Sequence, residues 1–166
     1  MTTTYDCIAT STLSSAQTSV TFSSISGSYT DLVLVCNTIV ASGGGFELSL
    51  QFNDDTGSNY SNTYLLGSGS AVITGRGSNV TYADCGYLAA NSGKPNTRII
   101  NIINYSNSTT YKTTISRGSG QNGSQSIGYT NQWRSNSAIN KIKIFSAQSL
   151  TYAIGSTFTL YGIKAE

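Results

Sequence analysis

The stretch 46-FELSLQF-52 decides the fold class of this chain. Every even-numbered residue in it is Phe or Leu, and every odd-numbered residue is polar. Successive side chains of a β-strand point to opposite faces of the sheet, so this alternation is typical of a half-buried strand. We therefore predict a strand over these residues, with the even-numbered side chains facing a core.

The flanking residues predict further strands. The run 32-LVLVC-36 is apolar without interruption, as expected for a strand covered on both faces. Between the two runs lies 41-ASGGG-45, and we predict a hairpin whose loop uses Gly43, Gly44 and Gly45 for backbone angles that other residues avoid. Other strand-like runs are TSVTF near Val20, RIINIINY from Arg98, YKTTIS from Tyr111, SIGYTNQW from Ser126, INKIKIF from Ile139 and TFTLYGI from Thr157, with weaker ones near Val72 and at 80–88.

The spacing of these runs predicts the architecture. Gly, Ser and Asn separate nearly every run, and no segment carries the apolar stripe of an amphipathic helix. The length of 166 residues suits one domain with a real core. We predict an all-β protein, a single-domain antiparallel β-sandwich over residues 1–166, of jelly-roll or Greek-key type.

Composition narrows the classes of partner. Charged residues make up 10% of the chain, and the basic ones are spread singly, so no nucleic-acid partner is predicted. No apolar stretch reaches the roughly 18 residues of a membrane helix, and no membrane partner is predicted. The odd set Cys7, Cys36 and Cys85 has no zinc spacing, and we interpret these cysteines as small buried apolar residues in a reduced compartment.

The charges are distributed unevenly along the chain. Six acidic residues and only Arg76 precede Gly86, whereas eight basic residues and only Glu166 lie beyond it. Halves on separate faces would make a two-sided molecule that attracts a copy of itself or an acidic surface. Because β-sandwiches mix early and late strands, we favour interleaved halves whose charges cancel locally.

The motif 53-NDDTGSN-59 follows directly on the predicted strand and allows two interpretations. Asn53, Asp54, Asp55 and Asn59 could supply oxygen ligands to calcium, but their spacing departs from a calcium loop and no glutamate completes the shell. Asn, Asp, Gly and Ser are also the residues that form tight turns through their own side chains. We favour the structural turn and predict no metal site.

Catalysis lacks its usual participants. The chain has no histidine, no G-x-S-x-G motif, and two glutamates that are isolated from each other. Asp54 and Asp55 are unsuited to be a glycosidase pair, because adjacent residues of an extended chain point in opposite directions. We therefore predict that the protein is not an enzyme and has no catalytic residues and no cofactor.

Aromatic and basic side chains are the remaining candidates for contact. Tyr60, Tyr64, Tyr82 and Tyr87 could stack on sugars or on a partner protein, but we favour a packing role on pleated β surfaces. Trp133 shares the parity of neighbouring apolar residues, so we assign it to a core or an interface.

Lys141 and Lys143 share one face of INKIKIF, opposite Ile142 and Ile144. That lysine face is interpreted as solvated surface or as protection of a sheet edge against mispairing, with a contact role as the further possibility.

Four segments carry a resemblance to a known family. YTDLVLV, leading into LQFNDDTGSNYS, and WRSNSAINKIKIF, followed by IGSTFTLYGI, resemble a family of small β-rich virion proteins of tailed phages, including phages of cyanobacteria and other aquatic hosts. The similarity covers the first third and the last fifth of the chain and leaves residues 76–125 unmatched. The typical pattern resembles F-N-G-D-T-G-S-N-Y-S, so Asp54 replaces a glycine.

The resemblance implies a structural role in the virion. We expect a decoration (cement) protein on the exterior of the phage head, made in the cytoplasm of the bacterial host, with itself and the major capsid protein as partners. A homotrimer suits local three-fold positions of an icosahedral shell. We expect Arg134, Lys141 and Lys143 on the side that meets an acidic capsid or subunit surface.

The alternative is a tail-fibre or adhesin domain that binds a host surface glycan or protein. A strand that starts near Tyr5 leaves little room for the attachment segment of a fibre, which favours decoration.

Overall fold

All regular structure in the described residues is β-strand. The structure is a computed structural model that describes residues 4–40, 44–90, 93–119 and 125–164, with side chains except those of 44–46 and 88–90. This part contains no helix long and apolar enough to cross a membrane. The strands are β1 (Tyr5–Thr12), β2 (Ser19–Phe22), β3 (Asp31–Ile39), β4 (Gly44–Phe52), β5 (Tyr60–Gly67), β6 (Val72–Val80), β7 (Ala83–Ala90), β8 (Pro95–Ile103), β9 (Lys112–Ser119), β10 (Ser126–Trp133), β11 (Ile142–Phe145) and β12 (Thr157–Ile163).

The strands form two antiparallel sheets. The larger has eight strands in the order β1-β12-β3-β8-β9-β10-β5-β6, and the smaller has four in the order β2-β11-β4-β7. Without β5, β6, β9 and β10, the sheets become β1-β12-β3-β8 and β2-β11-β4-β7. This is the interleaved strand order of a jelly roll, and the predicted fold class is confirmed.

Two inserted hairpins enlarge this jelly roll. The β5–β6 hairpin enters the chain between β4 and β7, and the β9–β10 hairpin enters between β8 and β11. Both add to the same edge, beyond β8, so the larger sheet is widened by four strands. We call these four strands the extension and the other eight the jelly-roll strands.

The main core lies between the two sheets. Leu48, Leu50 and Phe52 of β4 are fully buried and face Leu34 and Phe158 of the larger sheet in one hydrophobic cluster. The strand predicted from 46-FELSLQF-52 and its inward-facing even positions are therefore confirmed, apart from the side chain of Phe46, which lies outside the described residues.

The predicted hairpin between β3 and β4 is wrong. β3 pairs with β12 and β8 in the larger sheet, whereas β4 pairs with β11 and β7 in the smaller one. Gly44 and Gly45 belong to β4, where they pair with Ala90 and Ala89, and Gly43 lies outside the described residues. Alternation identifies a strand but not its partner, and in a jelly roll this connection crosses from one sheet to the other.

The interleaving of the acidic and basic halves is confirmed. The late strand β12 pairs with both β1 and β3, and β11 pairs with β2 and β4. Ion pairs join the halves at Lys141 with Asp54 and at Lys164 with Asp6. The charge asymmetry along the chain therefore does not separate into two faces.

The predicted burial of the cysteines is confirmed for two of the three. Cys36 and Cys85 are fully buried, and burial raises the pKa of both thiols. Cys7 is exposed, so its assignment to the core is wrong. The reason is its place on β1, which is an edge strand of the larger sheet.

Candidate functional site

The motif 53–59 connects jelly-roll strand β4 to extension strand β5, and the Asp55 carboxylate organises it. Asp55 Oδ1 accepts the backbone N–H of Gly57 at 2.9 Å, and Asn59 Nδ2 donates to both carboxylate oxygens at 2.9 and 3.1 Å. Trp133 Nε1 donates to Asp55 Oδ2 at 2.7 Å. Burial raises the pKa of Asp55, but these hydrogen bonds outweigh it and hold the pKa below its usual value.

Asn53 and Asp54 tie the same connection to the segment before β11. Asn53 Oδ1 accepts the N–H groups of Asn140 and Lys141 at 3.0 and 3.2 Å. Asp54 Oδ2 pairs with Lys141 Nζ at 2.7 Å. Asn53 and Asp54 have φ angles of 52° and 59°, which are typical of a tight left-handed turn.

The turn interpretation of 53–59 is therefore confirmed. The oxygens of Asn53 and Asp55 that the calcium hypothesis requires already accept N–H groups. Among the residues with described positions, no group of three or more His, Cys, Asp or Glu side chains could hold a metal ion.

The three predicted contact residues lie in two places. Arg134 Nη2 donates to the Ser58 carbonyl at 2.7 Å and to Asn79 Oδ1 at 2.8 Å, so its guanidinium links the turn to the end of β6. Lys141 meets the other side of that turn through Asp54. Lys143 Nζ lies 5.3 Å from the centre of the Phe145 ring. The proposal that Lys143 protects a sheet edge is wrong, because β11 lies between β2 and β4.

The aromatic candidates divide between the core and the surface. Tyr60 and Trp133 are buried and pack with Phe52, as the core interpretation requires. Tyr64 stacks on Tyr129 with ring centres 4.8 Å apart, and Tyr82 meets Phe145 edge to face. Tyr87 is 40% exposed.

Strand β7 is joined to the larger sheet by polar contacts. Arg98, which is buried, donates from Nε to the Cys85 carbonyl and from Nη2 to the Gly86 carbonyl, both at 3.3 Å. Gly86 has a φ of 109°, and a Cβ there would overlap the Ile127 side chain. Gly86 can therefore carry no side chain, which lets β7 lie close against β10.

A titratable carboxylate lies beside this junction. Burial and the neighbouring Glu47 carboxylate raise the pKa of Asp84 to about 6, although Gly86 N–H and the Arg98 charge oppose the shift. Burial lowers the pKa of Arg98 to about 10. Asp84 Oδ1 accepts the Gly86 N–H at 2.8 Å.

A concavity crosses the outer face of the extension, which is turned away from the smaller sheet. Arg76 of β6 is opposite Thr63 of β5, and Thr63 is opposite Thr130 of β10. Ser61 of β5 and Gln132 of β10 form the next outward-facing pair. With Ser78 and Thr113, these residues line a concavity of about 380 Å³.

Gln132 also lines a neighbouring concavity of about 510 Å³ at the start of β9. Tyr111, which is 50% exposed, lies there, together with Thr109, Thr110 and Asn136. We call the two concavities together the hydroxyl groove. The sequence predicts neither Arg76 nor Tyr111 as a contact residue. Arg76 has the parity of the outward-facing residues of β6, and Tyr111, which precedes β9, has the parity of those of β9.

The far end of the β5–β6 hairpin exposes apolar side chains. Leu65 is 55% exposed, Val72 70% and Ile73 47%. Register places Val72 and Ile73 opposite Gly67 and Leu66, so these residues adjoin one another on the two faces of the hairpin. We call Leu65, Val72 and Ile73 the β5–β6 tip. No strand pairs with the outer side of β6 within the described ranges.

Comparisons with known proteins add little to this geometry. No protein-family model matches the chain. No curated protein matches it either. Among solved structures, the chain is similar to a protein of unknown function, SO2946 from Shewanella oneidensis MR-1, at 10% identity and a TM-score of 0.26. That similarity covers 86% of this chain and 62% of the other, so this chain spans less than two thirds of its length.

Proposed function

We propose that this chain is a non-enzymatic structural virion protein that decorates and stabilises the capsid of a tailed phage as a symmetric oligomer. The sequence resemblance supports the proposal, because its segments include β11, β12, most of β3 and the end of β4. β12 pairs with β3 and β11 pairs with β4, so the resembling segments are neighbours in the two sheets.

The observation that carries the proposal is the uncovered β6 edge with its apolar tip. Val72 and Ile73 are among the most exposed large apolar side chains of the described residues. A long edge strand presents a row of backbone N–H and C=O groups, and natural proteins cover or blunt such edges. An adjoining exposed apolar patch is typical of a protein contact. We therefore place the contact between subunits at β6 and the tip.

Fewer basic residues are assigned to the capsid contact than the sequence predicts. Arg134 and Lys141 already have intramolecular partners, so they contribute less to an external surface than the sequence predicts. Lys143 remains the residue offered to an acidic capsid surface. A closed trimer would pair each β6 edge or tip with a neighbour and prevent open-ended polymerisation.

Two measurements test the proposal. Gold label on the protein in intact virions should cover the head in many copies, and the purified protein should be oligomeric in native mass spectrometry. The double substitution Val72→Lys and Ile73→Lys should yield folded monomers, whereas Ile154→Lys, at a jelly-roll residue that is 64% exposed, should leave the oligomer intact. A monomeric wild type, or label confined to the tail tip, would refute decoration.

The second candidate function is a tail-associated domain that binds a host glycan. The hydroxyl groove favours it, because Ser, Thr and Gln side chains there are arranged on one rigid sheet face. Label at the tail tip together with glycan binding would establish this alternative.

A further inference from the structure

We propose that the hydroxyl groove binds an acidic oligosaccharide, with Arg76 binding its anionic group and Tyr111 stacking on a sugar ring several units away. This inference goes beyond the proposed decoration role and does not depend on where the virion carries the protein. Its two main contact residues, Arg76 and Tyr111, lie in the part of the sequence that the family resemblance leaves unmatched.

The chemistry of the lining matches a polyhydroxylated ligand. Apart from Arg76 and Tyr111, the outward-facing side chains of the groove carry hydroxyl or amide groups, including Ser61, Thr63 and Gln132. Such groups both donate and accept hydrogen bonds, as sugar hydroxyls do. The match is made by side chains from four strands, so it exists only in the folded sheet.

Arg76 gives the groove its preference for an anion. Its side chain is exposed, and the described part of the structure gives it no hydrogen-bond or ion-pair partner. The planar guanidinium presents parallel N–H donors that suit a carboxylate or sulfate. No acidic residue lines the groove among the residues described, so an incoming anion meets no carboxylate there.

Tyr111 sets the length of the ligand. Arg76 is on β6, and Tyr111 precedes β9, three strands away in the sheet. Tyr111 is also four residues along the chain from Ile115, which shares a cross-strand row with Thr130 and Thr63. With typical strand spacing and rise, the two Cα atoms are roughly 19 Å apart. Side chains of a sheet stand roughly perpendicular to it, so a ligand that contacts both residues along this line is expected to be longer than one sugar.

The groove is held in shape before a ligand arrives. Asn107 Oδ1 accepts the N–H groups of Thr109 and Thr110 at 2.7 and 2.9 Å, which fixes the turn before Tyr111. Lys112 is buried beneath that turn and donates from Nζ to the Thr110 carbonyl at 2.7 Å. A site on rigid elements loses less entropy when it binds.

The test uses the purified wild-type protein on an array of uronic-acid, sialylated, sulfated and neutral glycans. Isothermal titration then uses the best acidic glycan, its neutral counterpart of the same length, and inorganic sulfate. We expect binding to an acidic oligosaccharide of several units and little binding to the neutral glycan or to sulfate. Arg76→Ala and Tyr111→Ala should each weaken affinity about tenfold or more.

The matched control is Arg117→Ala. Arg117 is an exposed arginine on the same outer face, opposite Gly128, but it does not line the groove. The Arg117→Ala variant should bind the acidic glycan with the affinity of the wild type. Equal losses in Arg117→Ala and Arg76→Ala, equal binding of the neutral glycan, equal binding of sulfate alone, or no acidic glycan bound on the array would each overturn the proposal. Virion labelling is unaffected by these outcomes, so the decoration role stands or falls separately.

Discussion

The jelly-roll strands and the extension differ in how they bury their residues. The jelly roll encloses a core between two sheets, in which Leu32, Leu34 and Phe158 are fully buried. Tyr60 and Trp133 of the extension join this core, and a separate small cluster in the extension consists of Leu66, Ile127 and Tyr129, with Tyr64 packed against it. Stability is therefore concentrated in the jelly roll, while the extension provides surface.

That surface holds both proposed binding features. The hydroxyl groove crosses the outer face of the extension, and the β5–β6 tip lies at the far end of the β5–β6 hairpin. A stable scaffold tolerates variation in an added surface because few core contacts depend on it. We therefore infer that folding depends mainly on the jelly roll, and we propose that the groove and the tip of the extension take part in recognition.

The largest expected effect comes from replacing a leucine with alanine in each of the two regions. Leu34→Ala removes a fully buried side chain from the jelly-roll core and should lower the free energy of unfolding by about 3–4 kcal/mol. Leu65→Ala removes a half-exposed side chain and, in the monomer, should cost less than about 0.5 kcal/mol. Urea unfolding measures both values. Similar losses would mean that the extension is part of the stabilising core.

The second test concerns the carboxylate at the junction of the two regions. The pKa of Asp84 is about 6 in the folded protein and 3.8 ordinarily. Between these values the folded state keeps a proton that the unfolded state has lost, so stability falls as pH rises through this window. At pH 7, Asp84→Asn should therefore stabilise the protein by up to about 3 kcal/mol.

Below about pH 3 the gain from Asp84→Asn should vanish, because the carboxyl is then largely protonated in both states. Asparagine can still accept the Gly86 N–H, so the substitution leaves that contact in place. The measurement is the difference in urea midpoint between wild type and variant across this pH range. A difference that does not change with pH would show that Asp84 titrates normally.

The third test breaks the hydrogen bond that joins the end of β10 to the turn before β5. Trp133→Phe removes the N–H that Asp55 Oδ2 accepts at 2.7 Å. Water can replace this donor in part, because Asp55 is partly exposed, so loss of the hydrogen bond should cost about 1 kcal/mol at pH 7. The smaller ring also loses packing against Phe52 and Tyr60, and this further loss does not depend on pH.

The hydrogen bond to Trp133 favours the charged form of Asp55, so the stability it contributes is present above the ordinary pKa and is lost as pH falls through the folded pKa. A double-mutant cycle with Asp55→Ala isolates this coupling. A coupling energy near zero would mean that Trp133 acts only by packing.

The sequence predicts the jelly roll better than the extension, for a physical reason. Alternation is strong where one face is buried, as in 46-FELSLQF-52. In β6 both faces are largely exposed, so 72-VITGRGSNV-80 shows no clear period and was a weak prediction. Alternation does not indicate which strands pair with each other, so the predicted pairing of β3 with β4 is wrong.

The groove was missed for a related reason. Arg76 and Gln132 are on separate strands and Tyr111 precedes a third, and only the order β9-β10-β5-β6 brings them to one surface. Parity places each on a face but not beside the others. The turn at Asn53 and Asp54 was predictable because its chemistry is local.

The smallest test separates backbone strain from charge where the chain leaves the jelly roll. Asp54 has a φ of 59°, a region that favours glycine, and its carboxylate forms an exposed ion pair with Lys141. Asp54→Ala should cost about 1 kcal/mol, because it keeps the strained φ and loses the carboxylate. Lys141→Ala should cost less than about 0.5 kcal/mol, as expected for an exposed pair.

Asp54→Gly distinguishes the two causes. Glycine relieves the strained φ, but it adds entropy to the unfolded chain and loses the ion pair, so the net change should stay within about 0.5 kcal/mol. Thermal unfolding of Asp54→Gly, Asp54→Ala and Lys141→Ala provides the ranking. If glycine and alanine cost the same, the carboxylate of Asp54 matters and its backbone does not. If glycine is tolerated and alanine is not, the turn geometry is what this position supplies.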